Sequence, residues 1–394
     1  MMDAAAVALS ADLRVCHFST TSLESKYFDS LGRGLASRGV TLLGATLSER
    51  VPPPWLIEAR GDYLFLNARS RAAYPRAVVT LARWLRRQRV AVLQTHLFEA
   101  GLVGLMAARL AGVPLVIVTR HHADYHFVSG TWLHVLIDSW TARLADRVVV
   151  LSAAVRDHLV ARERVAADRI DVIAQGFDFD ALAGSDEDGR RLRRELGLDG
   201  KFVIGAVASF QPAKGHAHLL TAARDLVGAI PNLALLLVGD GDRRAAEARA
   251  REYGLIDRVV FAGFRRDVSA CIRAMDVVVH PSLSEAFCQA IIEGMAAERP
   301  VVATNVGSAS DVVTDGVNGL LVPPADPGAI AAAVTRLQRE PALGRRMAEA
   351  ARQSVTRRFS LERMVAEQVA CYQRWLSAAA KRNGASAAAG VRPA

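Results

Sequence analysis

The chain has 394 residues, of which 51% are hydrophobic and 23% are charged, and its 49 basic and 40 acidic residues give a net charge of +9. This length predicts two or three domains with sizeable cores. Because no dense run of Lys and Arg interleaves with aromatic residues, the composition disfavours nucleic-acid binding. The net positive charge is explained most simply by an arginine-rich solvated surface, and it also allows an anionic small ligand or an anionic membrane surface as a partner.

The first half of the chain alternates short apolar strands with helices. Residues 1–12 are expected to be a disordered leader. Strands are predicted at residues 13–18, 40–45, 91–94, 115–119, 148–151 and 170–173, and helices at residues 27–38, 76–89, 100–110 and 153–162. Elements of these lengths in this order predict a parallel, doubly wound α/β sheet.

The second half repeats the pattern after a polar, acidic segment at residues 181–200, which we expect to be a linker. Strands are predicted at residues 202–207, 233–238, 259–261, 277–279, 301–304 and 320–322, and helices at residues 327–339 and 361–376. We therefore expect domains at residues 13–180 and 201–358 that face each other across a ligand-binding cleft. A helix at residues 359–377 should pack back on the first domain, and residues 378–394 should be disordered.

Residues 280–297 read HPSLSEAFCQAIIEGMAA and combine a strand end, a loop and a helix start. Ligands of open α/β sheets bind at the carboxyl ends of strands, and helix N-termini there hold anions. With a helix starting near residue 287, Glu293 lies roughly 9 Å along the axis, so Glu285 and Glu293 could hold two ends of one extended ligand. A sugar nucleotide fits this arrangement. The spacing alone equally allows two ordinary acidic residues near a helix start.

Three loops after second-half strands carry further candidates. Lys214 follows the first of these strands and could hold a diphosphate, although a surface lysine beside a turn glycine would look similar. Gly239 opens a GxG that lacks the third glycine of the dinucleotide fingerprint. Arg265, after Gly263, could stack on a base or lie in a basic surface loop. Lys214 together with the two glutamates favours a diphosphate site.

Histidines occupy two strand ends in the first half. His121 and His122 end one strand, with His126 four residues on, and His96 ends another. No HExxH or comparable ligand spacing accompanies them, which disfavours a metal site. Hydrogen bonding to a sugar fits His121 and His122 better. His96 is equally compatible with a buried or capping role.

The helix at residues 76–89 has a basic face formed by Arg83, Arg86, Arg87 and Arg89. Such a face could touch anionic lipid at the inner side of a membrane. A helix with such a face is more often an ordinary outer helix of an α/β sheet.

The four cysteines, Cys16, Cys271, Cys288 and Cys371, show no CxxC or zinc spacing. They predict reduced, mostly buried thiols in a cytoplasmic protein. No apolar run is long enough to span a bilayer, and the first ten residues do not form a signal peptide.

Seven segments together resemble the family-4 retaining glycosyltransferases of the GT-B fold, over about residues 13–376. In the second half these are PSLSEAFCQAIIEGMA, PAKGH, LLVGDG, VVFAGFRRDV and ATNVGSASDVVTDGVNGLLVPP; in the first half they are VIAQGFD and VTRHH. The resemblance implies two Rossmann-like domains, an N-terminal acceptor domain and a C-terminal donor domain. It also implies transfer of a sugar from a nucleotide-diphosphate sugar to a hydroxyl of a glycan, lipid or small molecule, without metal or cofactor.

The resemblance also implies roles for individual residues. Glu285 would hold hydroxyls of the donor sugar, Lys214 would neutralise the leaving diphosphate, and His121 would hydrogen-bond the sugar. Donor-binding positions would be Ser209, Lys214, Gly239, Phe264, Arg265, Glu285, Ala286, Phe287, Cys288, Gln289 and Glu293. Acceptor-side positions would be Thr20, Thr21, His96 and His122.

The chain departs from the family pattern at three places. Ser209 stands where an arginine often serves as a second phosphate partner, Ala286 and Cys288 replace glycines, and residues 20–22 lack a Gly-Gly. Two other functional classes stay open. One is a non-hydrolysing sugar-nucleotide epimerase, which would consume the donor without an acceptor. The other is a catalytically silent binding protein of the same architecture.

Overall fold

The computed structural model describes residues 13–121, 131–285 and 287–389. The chain forms two compact units, one made of residues up to Gly176 and from Leu361 onward, the other of Phe177–Ser360. The leader at residues 1–12, His122, His126 and Ala286 lie outside the described residues.

The first unit is built on a seven-stranded parallel sheet in the order β3-β2-β1-β4-β5-β6-β7. The strands are β1 Arg14–Ser19, β2 Thr41–Thr46, β3 Asp62–Phe65, β4 Val92–His96, β5 Leu115–Arg120, β6 Arg147–Val150 and β7 Ile170–Val172. The helices are α1 Lys26–Ser37, α2 Pro54–Glu58, α3 Tyr74–Arg87, α4 Phe98–Ala111, α5 Trp132–Leu144 and α6 Ala153–Glu163. β4 and β5 are buried along their whole length, as expected for central parallel strands covered on both faces.

The second unit has a six-stranded parallel sheet in the order β10-β9-β8-β11-β12-β13. The strands are β8 Phe202–Val207, β9 Leu233–Val238, β10 Val259–Gly263, β11 Val277–His280, β12 Val301–Thr304 and β13 Leu320–Val322. The helices are α7 Phe179–Ala183, α8 Asp186–Glu195, α9 His216–Leu226, α10 Arg244–Glu252, α11 Val268–Arg273, α12 Gln289–Ala296, α13 Ala309–Val312, α14 Pro327–Arg339 and α15 Pro341–Arg358. The prediction of two doubly wound α/β sheets is confirmed.

The segment expected to be a linker is instead the helix α8. Ser185 caps it by accepting a hydrogen bond from the Asp188 amide at 3.1 Å, and three acidic residues follow in its first turn. Acidic residues there are stabilised by the helix dipole, so the acidic run marks a helix start rather than a flexible segment. A Cβ on Gly189 would come within 2.8 Å of Arg273, which shows how closely α8 packs on α11.

The C-terminal helix α16, Leu361–Ala389, continues well past its predicted end. The tail expected to be disordered from residue 378 is therefore helical to Ala389. Its alanine-rich composition explains this, because alanine is the strongest helix former. α16 belongs to the first unit, where the Tyr372 hydroxyl meets Gln94 and the Trp375 Nε1–H donates to Asp171 at 2.8 Å.

None of the helices that the structure describes is both long and apolar enough to cross a membrane.

Candidate functional site

The second unit has its topological switch point between β8 and β11. From β8 the chain winds outward through β9 to β10, and from β11 it winds the other way through β12 to β13. The loops that leave neighbouring strands on either side of such a point diverge, and the crevice between them is where ligands of open α/β sheets bind. Here those two loops carry Lys214 and Glu285.

Lys214 and Glu285 form an ion pair at this crevice. The Lys214 Nζ lies 2.6 Å from the Glu285 Oε2, and the His280 Nε2 lies 3.4 Å from the same oxygen. Burial tends to raise the pKa of Glu285, but the neighbouring His280 and Lys214 outweigh it and hold that pKa below its ordinary value. Two sequence-predicted residues that are 71 positions apart are thus brought together as a charged carboxylate and an ammonium group.

Two glycines let the loops approach this pair. Gly215 has φ +69°, and a Cβ there would lie 1.9 Å from the Pro281 carbonyl oxygen. Gly307 has φ +53°, and a Cβ there would lie 1.6 Å from the Glu285 carbonyl oxygen. Both positions therefore need glycine for backbone conformation and for space. The sequence pattern alone predicted this role for neither glycine, and it predicted no contact of His280 with Glu285.

At the start of helix α12, two residues expected to bind the donor already use their backbone amides. The Cys288 amide donates to the Ser308 Oγ at 3.0 Å, and the Gln289 amide donates to the Phe287 carbonyl at 3.0 Å. Glu293 lies within α12 and is only 7% exposed. A diphosphate bound here would have to replace the Ser308 hydroxyl and the Phe287 carbonyl as the acceptors of these two amides.

The loops after β8, β9 and β10 meet beside the crevice. The Gly239 amide donates to the Gly263 carbonyl at 2.9 Å, and a Cβ on Gly239 would lie 1.9 Å from the Ala208 carbonyl oxygen. These contacts place Ser209, which follows Ala208, next to the GxG turn.

The loop after β10, where a nucleotide base was expected to bind, holds an arginine that already forms ion pairs. Arg265 contacts Asp267 at 2.7 Å and Glu195 at 3.1 Å, and its hydrogen bonds to Asp267 raise its pKa. Its neighbour Phe264 is 71% exposed. Phe264 is therefore better placed than Arg265 to offer a planar surface on which a nucleotide base could stack.

In the first unit, His96 and His121 lie at the carboxyl ends of β4 and β5, as predicted. His96 is 1% exposed, and its two ring nitrogens lie 3.0 Å from nitrogens of His17 and His121. His96 is therefore buried between His17 and His121, in line with the buried role that the sequence also allowed. Among the residues that the structure describes, no three His, Cys, Asp or Glu side chains are grouped to hold a metal ion.

The two threonines predicted on the acceptor side differ in their surroundings. The Thr20 hydroxyl donates to Glu99 at 3.2 Å and accepts from the Ala100 amide at 3.1 Å, so it fixes the start of α4. Thr21 is exposed.

Two family models match the chain and together span most of it. The one described as Glycosyl transferases group 1 matches residues 188–354, and the one described as Glycosyltransferase Family 4 matches residues 25–181.

Curated relatives and solved structures agree with these matches. The 2-deoxystreptamine glucosyltransferase of Streptomyces kanamyceticus is 31% identical over 342 residues, covering 83% of this chain and 88% of that protein. The alpha-D-kanosaminyltransferase of the same organism is 30% identical, covering 70% of this chain and 75% of that protein. The structure of HepE of Anabaena in complex with UDP superposes with a TM-score of 0.80 at 22% identity, covering 91% of this chain and 98% of that one. The chain therefore belongs to the family 4 glycosyltransferases of group 1 and is a glycosyltransferase enzyme with the GT-B fold.

Proposed function

We propose that this enzyme transfers a sugar from a nucleotide-diphosphate sugar to a hydroxyl of a glycan, lipid or small-molecule acceptor, with retention of configuration. The observation that carries the proposal is the pairing of Lys214 with Glu285 at the switch point of the second sheet. An ammonium group there suits a diphosphate leaving group, and a carboxylate beside it suits sugar hydroxyls. The names of the two Streptomyces relatives, a glucosyltransferase and a kanosaminyltransferase, agree with sugar transfer.

In this proposal the bond between the anomeric carbon and the diphosphate oxygen breaks while the acceptor oxygen attacks from the same face. Negative charge grows on the leaving diphosphate, and Lys214 stabilises it. The acceptor proton passes to the leaving phosphate. Glu285 exchanges its contact with Lys214 for hydroxyls of the sugar, and Glu293 binds the ribose. We propose that the reaction needs no metal, because the lysine supplies the positive charge.

The role of Lys214 can be tested against a lysine of similar chemistry outside the site. Lys214→Ala should lower kcat at least about 100-fold, as loss of an electrostatic partner of the transition state does. The control is Lys201→Ala, which removes an exposed lysine just before β8 and should leave transfer unchanged. The assay offers UDP-, GDP- and ADP-sugars with candidate acceptors and follows the glycoside product, with and without EDTA.

Several outcomes would contradict the proposal. Near-normal transfer by Lys214→Ala would remove the lysine from the mechanism. Inhibition by EDTA that Mg²⁺ or Mn²⁺ reverses would overturn the metal-free reaction. Conversion of the sugar nucleotide without any acceptor would indicate an epimerase instead.

We also propose that the first unit contacts an anionic membrane peripherally, through the helices α3, α4 and α5. Exposed apolar side chains lie along α5 and on α4: Trp132, Leu133, Leu136, Trp140, Leu144, Met106 and Leu110. At about 100° per residue, the five on α5 fall within roughly 120° of the helix circumference. We call these seven residues the apolar stripe.

The charges around the apolar stripe suit an anionic surface. The three helices carry six arginines, at positions 76, 83, 86, 87, 109 and 143, and two acidic residues, Glu99 and Asp138. Asp138 is itself paired with the buried Arg120. Tryptophan and leucine beside arginines are typical of helices that lie in a membrane interface. The membrane contact predicted on the basic helix at residues 76–89 is thus extended to α5.

A further inference from the structure

Three histidines form a hydrogen-bonded row at the carboxyl edge of the first sheet. The His17 Nδ1 lies 3.0 Å from the His96 Nε2, and the His96 Nδ1 lies 3.0 Å from the His121 Nε2. They come from the neighbouring strands β1 and β4 and from the end of β5. The switch point of this sheet lies between β1 and β4, which is where a ligand is expected in such a fold.

The two inner members of this row are neutral. His17 and His96 are each 1% exposed. Burial lowers the pKa of His17 to about 4, and burial together with the neighbouring His17 and His121 lowers the pKa of His96 well below its ordinary value. A neutral imidazole has one N–H donor and one bare acceptor nitrogen. A row of such rings must therefore run in one direction, with each ring donating to the next.

The inner end of the row decides that direction. Among the described residues, the buried His17 Nε2 has no hydrogen-bond partner. The neighbouring Trp55 ring lies at right angles to His17 with centroids 6.2 Å apart, and an indole offers no lone-pair acceptor. A buried N–H without an acceptor is rarer in proteins than an unused acceptor. The proton of His17 is therefore on Nδ1, where it is donated to His96.

We infer that His17 and His96 are positioning residues that hold the proton of His121 on its Nδ1 atom. The His17 Nδ1–H donates to the His96 Nε2, the His96 Nδ1–H then donates to the His121 Nε2, and His121 keeps its proton on Nδ1. If His121 hydrogen-bonds the donor sugar of the proposed transfer reaction, as the family resemblance implies, it does so as a donor to a hydroxyl oxygen. The row itself does not depend on that function.

Two features keep the row in place. Phe28 packs edge-on against His96 with centroids 4.7 Å apart, and Tyr27 packs edge-on against His121 at 5.2 Å. Leu97, directly after His96, has φ +70° and ψ +165°, a backbone region used almost only by glycine. Such strain persists only where the surroundings dictate the conformation, which is often at a functional site.

The direction of the row can be read in the intact enzyme by NMR. The full chain, labelled with ¹⁵N-histidine, should show His121 with its proton on Nδ1, with His121→Gln used for assignment. A matched pair of variants then tests His96. His96→Asn places an amide donor where the His96 Nδ1 lies, whereas His96→Leu removes the donor and keeps a similar volume. His121 should keep its Nδ1 proton in His96→Asn and become a mixture of tautomers in His96→Leu.

Transfer kinetics provide the second readout. Loss of one buried donor should make kcat/KM of His96→Leu about 10-fold lower than that of His96→Asn. The wild-type spectrum alone decides the direction, so a variant that fails to fold does not remove the test. A proton on the His121 Nε2 in the wild type would overturn the inference. So would an unchanged His121 tautomer in a folded His96→Leu. If Lys214→Ala transfers normally, the proposed function fails but the tautomer result still stands.

Discussion

Gly307 controls how the Glu285 backbone is held against the loop that follows β12. Its φ of +53° is costly for other residues, and a Cβ would lie 1.6 Å from the Glu285 carbonyl oxygen. Gly307→Ala should therefore push the Glu285 segment away from Lys214. We expect kcat/KM for the donor to fall about 10- to 100-fold, as misplacement of a site residue does.

The control for this variant is Gly316→Ala. Gly316 has a similar φ of +72°, but a Cβ there would meet nothing within 4 Å. Both variants should lose stability to backbone strain, by about 1 kcal/mol, and only Gly307→Ala should also lose activity. Thermal unfolding and transfer kinetics of the two proteins measure these effects separately. Equal losses of activity would show that the contact with Glu285 does not matter.

At the scale of residues, the sequence identified side chains that can do chemistry but not what they contact. Lys214 and Glu285 were predicted from their places after strands, and the structure brings them together. Arg265 was assigned to a base, whereas the structure pairs it with Glu195, 70 positions earlier in the chain. Such a contact depends on how α8 packs beside α11, and no local pattern contains it.

The apolar stripe on α4 and α5 leads to a prediction at the scale of elements. The full chain should sediment with phosphatidylglycerol vesicles at low salt and not with phosphatidylcholine vesicles, because the arginines need anionic lipid. Trp132→Ala with Trp140→Ala should weaken this binding about 10-fold or more, since both indoles lose contact with the interface. These side chains are 77% and 56% exposed, so the fold should be unaffected.

Ile57→Ala is the matched control for the stripe. Ile57 is 60% exposed on α2, which packs against α1 and β2, and its replacement should leave vesicle binding unchanged. Failure of the wild-type protein to sediment with anionic vesicles would contradict the proposal. If it instead forms a dimer that the tryptophan variant dissociates, the stripe binds a second copy of the chain.

Three of the elements that were not predicted from the sequence have a weak local pattern. β3 is a four-residue edge strand with no buried position, so it lacks the apolar run that marked the central strands. α5 carries its large apolar residues on the exposed side, which obscures the usual helical period. α8 is strongly charged and was taken for a linker. Central parallel strands were predicted correctly because burial on both faces requires continuous apolar sequence.

At the scale of the whole molecule, the structure moves the domain boundary from the predicted residue 201 to Phe177. The Phe177 amide donates to the Phe359 carbonyl at 2.9 Å, so the chain enters and leaves the second unit side by side. The Phe177 and Phe287 rings stack with centroids 6.2 Å apart. Within α8, Arg193 contacts Asp276 at 2.8 Å. α7 and α8 are therefore part of the second unit.

This boundary predicts how excised fragments behave. Phe177–Ser360 has its own buried core and contains Lys214, Glu285 and Glu293. As an isolated fragment it should fold, bind a nucleoside diphosphate and fail to transfer sugar, because His121, which the family resemblance implies at the sugar, belongs to the other unit. Ligand at 100 times its Kd should stabilise the fragment by about 2.7 kcal/mol, seen as a rise in Tm with UDP, GDP or ADP.

The fragment of residues 201–358 is the comparison, because it follows the boundary predicted from sequence. It lacks α7, α8 and the hydrogen bond between Phe177 and Phe359, and it exposes Asp276, which contacts Arg193, and Arg273, against which Gly189 packs. It should unfold at a lower temperature than Phe177–Ser360. Equal Tm values would show that α7 and α8 are dispensable to the second unit. The fragment Phe177–Ser360 could also fold and yet bind none of the three nucleotides while the full chain binds one. That result would show that donor binding needs the first unit as well.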